Sequence, residues 1–187
     1  MLDVGPPWFH CHTLRRGPLS FNRRSTGRFN APGGEFGVLY LSTSREGAFI
    51  ETFGQSGSAD DRGVRFVTRA ALDARCLCSI AQTSPARSLH LIDLSGSGLS
   101  QIGADARLGA ATDDPGLPQR WALAFWNHPA APDGLLYRAR HDPEQLSVAV
   151  FDRAGDLLGA DCSTNVLARP DILIPILRRY GFGIDRV

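Results

Sequence analysis

Residues 27–53 read GRFNAPGGEFGVLYLSTSREGAFIETF, and this stretch decides the fold class. It opens on a turn, Gly27-Arg28-Phe29-Asn30, and passes through the loop formers Pro32-Gly33-Gly34. The apolar run Gly37–Leu41 then predicts a strand. Thr43, with Glu46 three residues later, predicts a capping box that opens a helix through Phe53. A strand running straight into a helix sets the α+β pattern that the rest of the chain repeats.

The same helix poses a chemical question. The chain has only four glutamates, and one of them, Glu51, stands among Ala48, Phe49, Ile50 and Phe53. A carboxylate buried bare in such company is strongly disfavoured, so Glu51 is solvated, paired with a cation, or held in a cleft for chemistry.

Outward from this stretch, alternation and β-branched or aromatic content predict further strands at Trp8–His12, Cys76–Ala81, Leu89–Leu94, Leu135–Ala139 and Ser147–Phe151. Helices are predicted at Leu117–His128 and at Pro170–Tyr180, the second ending at the stop residue Gly181. The segments Gln55–Gly63 and Ala110–Pro118, rich in Gly, Ser, Asp and Pro, read as loops rather than linkers because apolar pattern resumes at once on both sides. With 187 residues, the expectation is one domain, 1–187, built on a central mixed or antiparallel sheet.

Composition narrows the function classes. The net charge of +1 leaves no global excess for nucleic acid or anionic lipid, and no long uncharged apolar run is present. The expectation is a cytoplasmic protein that binds neither nucleic acid nor membrane directly. All 20 basic residues are arginine, so lysine chemistry is excluded. Cys11, Cys76, Cys78 and Cys162 lack zinc-site spacing and read as reduced thiols. His10 and His12 share a face if Trp8–His12 is a strand, which could seed a metal-dependent hydrolase, although no third ligand is in register.

Several residues carry two readings each. Arg28 is either a fork of donors for a phosphate or a solvated arginine on a β-turn. Tyr40 is either a core ring with its hydroxyl on a partner or a wall of a site. Glu51 is either a cleft carboxylate or half of a structural ion pair. Arg138 and Arg140, on one face of a predicted strand, either hold phosphate or are solvated.

Taken in order, the GRFN turn, the Tyr40 strand, Glu51 on the next helix, Leu91-Ile92-Asp93-Leu94, the Trp121 helix and Asp133-Gly134-Leu135-Leu136-Tyr137-Arg138-Ala139-Arg140 resemble the RES-domain family from about Trp8 to Phe151. The resemblance implies the ADP-ribosyltransferase fold and consumption of NAD, often by the toxin of a bacterial toxin–antitoxin pair. It matches Arg28, Tyr40 and Glu51 to the family's arginine, tyrosine and glutamate, as catalytic residues. It adds Arg138, Ala139 and Arg140 to Arg28 and Tyr40 as contacts to NAD.

The family serine falls where this chain has Ala139, a departure worth about 1 kcal/mol for one lost hydrogen bond. Ser147 is the alternative source of that hydroxyl. NAD is implied as substrate, with no resident cofactor and no metal. The reaction is cleavage of the nicotinamide–ribose bond by water or inorganic phosphate. The partner implied is an antitoxin with a helix-turn-helix DNA-binding part. The competing readings are an ADP-ribosyltransferase that modifies a protein and a weakened NAD-binding module.

Overall fold

The computed structural model describes residues 5–55, 58–59, 63–83, 87–105, 108 and 116–185. Ten strands appear: β1 (Trp8–Thr13), β2 (Val38–Ser42), β3 (Ser58–Ala59), β4 (Arg65–Thr68), β5 (Arg75–Gln82), β6 (Leu91–Asp93), β7 (Gly134–Arg138), β8 (Leu146–Phe151), β9 (Leu158–Asp161) and β10 (Phe182–Asp185). The α-helices are α1 (Arg45–Phe53), α2 (Arg69–Asp73), α3 (Gly98–Gln101), α4 (Gly116–Trp126) and α5 (Pro170–Arg179). Short 3-10 turns span Asp152–Leu157 and Val166–Ala168.

Seven strands form one mixed sheet in the order β6-β7-β8-β2-β1-β5-β9. Every neighbouring pair in it is antiparallel except β6 with β7. A three-stranded sheet, β10-β4-β3, packs beside α1 and α5. The α+β class and its mixed sheet are therefore as expected.

One seam in the large sheet positions the site. β1 pairs with β5 over six residues, His12 opposite Cys76 among them, but meets β2 only at Phe9 opposite Ser42. The sheet opens between β1 and β2, and α1 covers the gap from one side with Phe49, Ile50 and Phe53 buried against Leu77, Leu173 and Phe182. A second core joins α4, through Ala122 and Phe125, to Phe29, Phe36, Leu135 and Phe151.

Several boundaries differ from expectation for identifiable reasons. The cap of α1 is Ser44, whose Oγ accepts the Gly47 N–H at 2.9 Å, not Thr43. The Thr43 hydroxyl instead donates to the Leu146 carbonyl at 3.1 Å, tying β2 to β8. β7 stops at Arg138, so the expected extension to Ala139 is lost, and the Ala139 N–H bonds the Gln145 carbonyl across a turn. Within the expected loop Gln55–Gly63, Ser58–Ala59 pairs with β4; residues 56–57 and 60–62 lie outside the described residues. Of Ala110–Pro118, residues 110–115 lie outside the described residues, and Gly116–Pro118 begins α4.

The last helix ends as read: Gly181 adopts φ 65°, a conformation that favours glycine, just beyond α5. Among the described residues no helix is long and apolar enough to cross a membrane.

Candidate active site

A cleft of about 650 Å3 occupies the open seam. Phe9 and Cys11 of β1, Tyr40 and Ser42 of β2, Glu51 and Thr52 of α1, Tyr137 of β7, Ser147 of β8, and Arg28 and Arg140 from turns all line it. Residues up to 138 positions apart, Phe9 and Ser147 at the extremes, thus face one volume.

The Gly27–Asn30 turn is fixed from several directions. The Asn30 N–H bonds the Gly27 carbonyl, and the buried Asn30 side chain donates to the carbonyls of Asn22 at 2.8 Å and Arg24 at 2.7 Å. The Tyr40 hydroxyl donates to Asn30 Oδ1 at 2.8 Å and accepts the Phe29 N–H at 2.9 Å. Burial pushes this phenol far above its ordinary pKa, so it stays neutral. Gln119 of α4 holds the turn from the other side through the Ser25 and Gly27 carbonyls. A Cβ at Gly27 would lie 2.1 Å from Asn30 Oδ1 and 2.6 Å from the Tyr40 hydroxyl, so only glycine permits this approach.

That turn delivers Arg28. Its guanidinium lies over the Phe29 ring at 5.8 Å and the Tyr137 ring at 5.4 Å, two aromatic faces that suit a cation. Its Nη1 is buried and has no hydrogen-bond partner among the described residues. A buried unpaired donor is costly, and an anion entering the cleft would satisfy it.

Glu51 answers the question its position raised. Its Oε1 accepts the backbone N–H of Arg140 at 2.8 Å and of His141 at 3.4 Å, and among the described residues it forms no ion pair. Backbone dipoles from the turn after β7 therefore hold the carboxylate in the cleft without a cation neutralising it. Its charge is felt nearby, disfavouring ionisation of Tyr137 and favouring the charged form of His141. Burial dominates at both: it raises Tyr137 well above the usual phenol value and lowers His141.

The two arginines at the end of β7 part company. Arg140 lines the cleft, but Arg138 donates from Nε to the Ser95 carbonyl at 2.8 Å and from Nη1 to the Pro143 carbonyl at 2.7 Å. The expectation that both share one face fails because β7 ends between them, and strand alternation ends with it. Ala139 is buried and does not line the cleft. Ser147 does; it is buried, paired opposite both Tyr137 and Ser42, and its hydroxyl lies 3.3 Å from that of Ser42. A serine hydroxyl therefore faces the cleft from the neighbouring strand.

Asn30 and Gln119 are the positioning residues that sequence reasoning did not single out. Asn30 stood within the quoted turn, whereas nothing local marks Gln119. The half-buried Cys11 thiol also faces the cleft, yet burial pushes it up to about 11, which leaves it protonated and a poor nucleophile.

The RES domain family matches residues 7–170, and the chain belongs to that family. A probable toxin of Sinorhizobium fredii, y4kH, is 32% identical over 108 residues, which is 57% of this chain and 82% of the relative. Among solved structures, the MbcT–MbcA toxin–antitoxin complex of M. tuberculosis contains a chain of the same fold. It superimposes with a TM-score of 0.61 at 22% identity, over 83% of this chain and 80% of its own. The family match ends as α5 begins, so nearly all of that helix, and β10, lie beyond it.

Proposed function

We propose that this chain is an NAD-consuming toxin of a toxin–antitoxin pair that cleaves the nicotinamide–ribose bond. One observation carries the reading. A carboxylate held by backbone N–H groups shares a cleft with a buried guanidinium nitrogen, and among the described residues no cation pairs with the carboxylate and no acceptor with the nitrogen. NAD presents the complement, an anionic pyrophosphate beside a ribose that becomes cationic as nicotinamide leaves.

In this mechanism Arg28 and Arg140 receive the pyrophosphate oxygens. Tyr40 does not act on the substrate through its hydroxyl, which is engaged twice; it shapes the pocket and holds Arg28 in place. When the glycosidic C–N bond breaks, its electron pair leaves with nicotinamide, which departs neutral and needs no general acid. Glu51 opposes the oxocarbenium charge on the ribose and accepts hydrogen bonds from its hydroxyls. Water then adds to the anomeric carbon and releases a proton, giving hydrolysis, or inorganic phosphate adds, giving phosphorolysis. Ser147 offers the substrate the hydroxyl that Ala139 lacks. The neutralising partner is a protein antitoxin with a helix-turn-helix DNA-binding part.

Incubating the purified chain with NAD, with and without phosphate, and following free nicotinamide tests the reading. Release without phosphate gives a glycohydrolase, and release only with phosphate gives a phosphorylase. NAD left intact by folded protein under both conditions rejects the proposal.

A further inference from the structure

The side of the sheet formed by β1, β5 and β9 carries a second cluster that the proposed reaction does not use. His12, Cys76, Cys78 and Cys162 each offer one ligand atom, and all four atoms lie within 4.8 Å of one another. The sheet's register makes the cluster. His12 of β1 stands opposite Cys76 of β5, Cys78 follows two residues on, and the β5–β9 pairing of Ser79 with Asp161 brings in Cys162 next along the chain. Residues 12, 76, 78 and 162 show none of the short paired spacings that betray zinc sites in sequence.

We infer that these four side chains form a structural site for a thiophilic divalent cation, zinc foremost. The donor set is three sulfurs and one imidazole nitrogen with no carboxylate, which suits zinc and excludes the hard cations magnesium and calcium. The histidine is already set up as a ligand. His12 Nδ1 lies 3.0 Å from the carbonyl oxygens of both Thr13 and Arg16, which can only accept, so Nδ1 carries the proton. The other ring nitrogen, Nε2, faces the Cys162 sulfur at 3.9 Å. A backbone carbonyl fixing the far nitrogen is the usual outer support of a metal-bound histidine.

Tetrahedral zinc, with bonds of about 2.3 Å to sulfur and 2.0–2.1 Å to nitrogen, separates its ligand atoms by roughly 3.5–3.8 Å. Side-chain shifts of about an ångström close this cluster to that geometry.

The surroundings say what the ion does. Cys76 and Cys78 are buried, while His12 and Cys162 are half-buried, so one side is open for entry. Zinc binds cysteine as thiolate, so binding must expel the thiol protons to solvent. Four protein ligands leave no open coordination position, which makes the role structural. The ion would fasten the edge strand β9 to β5 and β1. It would also fix the start of the segment whose Asn165 caps the 3-10 turn before α5 and bonds the Leu77 N–H and Arg75 carbonyl of β5.

The test uses the full chain, untagged and reduced, with zinc added and excess removed. Expected are about one zinc per chain, release of roughly three protons on binding, and a lower melting temperature after chelation. Cobalt in place of zinc should show the strong visible bands of a tetrahedral site and a thiolate-to-metal charge-transfer band. Cys162→Ser, at a half-buried position, should lose stoichiometric metal and the chelator effect, while Cys11→Ser keeps both. If Cys78→Ser does not fold, Cys162→Ser and His12→Gln carry the test. A reduced wild-type chain that takes up no zinc, its thiols free, overturns the inference. So does a Cys162→Ser chain that binds zinc as tightly as wild type. Neither result depends on nicotinamide release, so the outcome is separate from that of the proposed reaction.

Discussion

Two carboxylates, Asp133 and Glu51, flank β7 and are handled in opposite ways. Asp133, just before the strand, is 1% exposed and saturated: Arg87 Nη2 donates to both of its oxygens at 2.7 and 2.9 Å, and the His90 N–H donates at 2.8 Å. Glu51 is tethered through one oxygen to the turn that follows the strand, and among the described residues no cation pairs with it and an arginine nitrogen in the same cleft has no partner. A carboxylate kept for stability has its valences filled by its own chain. On the proposed reading Glu51 is held in place and left incomplete, because only an unspent charge can respond when charge develops on a substrate.

The sharpest way to break this contrast is Glu51→Gln, which keeps shape and removes charge. Turnover to nicotinamide should fall roughly a hundredfold, about 3 kcal/mol of transition-state stabilisation, with NAD affinity and melting temperature little changed. A destabilised but fully active Glu51→Gln would put Glu51 in the same class as Asp133. Asp133→Asn should do the reverse. Losing charge-assisted bonds at a buried site costs about 2 kcal/mol, or roughly 4–8 °C of melting temperature for a chain of this size, with activity per folded molecule unchanged. Loss of activity without loss of stability would mean that Asp133 also serves the cleft.

The paired arginines sharpen the same point at smaller scale. Arg140→Gln should raise the KM for NAD roughly fivefold, about 1 kcal/mol from one exposed cationic contact, and leave turnover nearly unchanged. Arg138→Gln should leave KM alone, since that side chain is spent on the Ser95 and Pro143 carbonyls. Equal effects from both would contradict their separation at the end of β7.

The smallest effect concerns Asp142, in the turn that carries Arg140. Burial opposes its charge, but the Tyr180 hydroxyl at 2.8 Å, the Glu144 N–H and Arg179 outweigh burial and hold the carboxyl below its ordinary value. A carboxyl depressed in the folded state adds stability above its unfolded pKa and loses it as pH falls through the folded one. Asp142→Asn should therefore melt about 1–3 °C lower at neutral pH, and the gap should close below about pH 4. A gap that persists in acid would assign the effect to packing.

Much of the fold was legible because its signals are local. The strand at Val38–Ser42, the helix through Phe53 and the stop at Gly181 each follow from periodicity or backbone preference within a few residues. The short strands β4, β9 and β10 were not, since four residues with no clean alternation carry little pattern, and pairing partners far along the chain stabilise them. In the site, Arg28 and Glu51 were readable as odd residues in their surroundings. Gln119 was not, because a glutamine on a helix becomes a positioning residue only through the turn it meets.

The sequence by itself determined the α+β class, the Gly27–Asn30 turn, and a carboxylate out of place in an apolar helix, all consequences of neighbours in the chain. Tertiary structure alone decided the rest. It chose Arg140 over Arg138 by ending β7 between them, and put Ser147 rather than Ala139 on the cleft wall. It also drew His12, Cys76, Cys78 and Cys162 together across three strands. The reason is physical: alternation and capping act over a few residues, whereas strand register sets which distant side chains share a face, and register is fixed only when the whole sheet has formed.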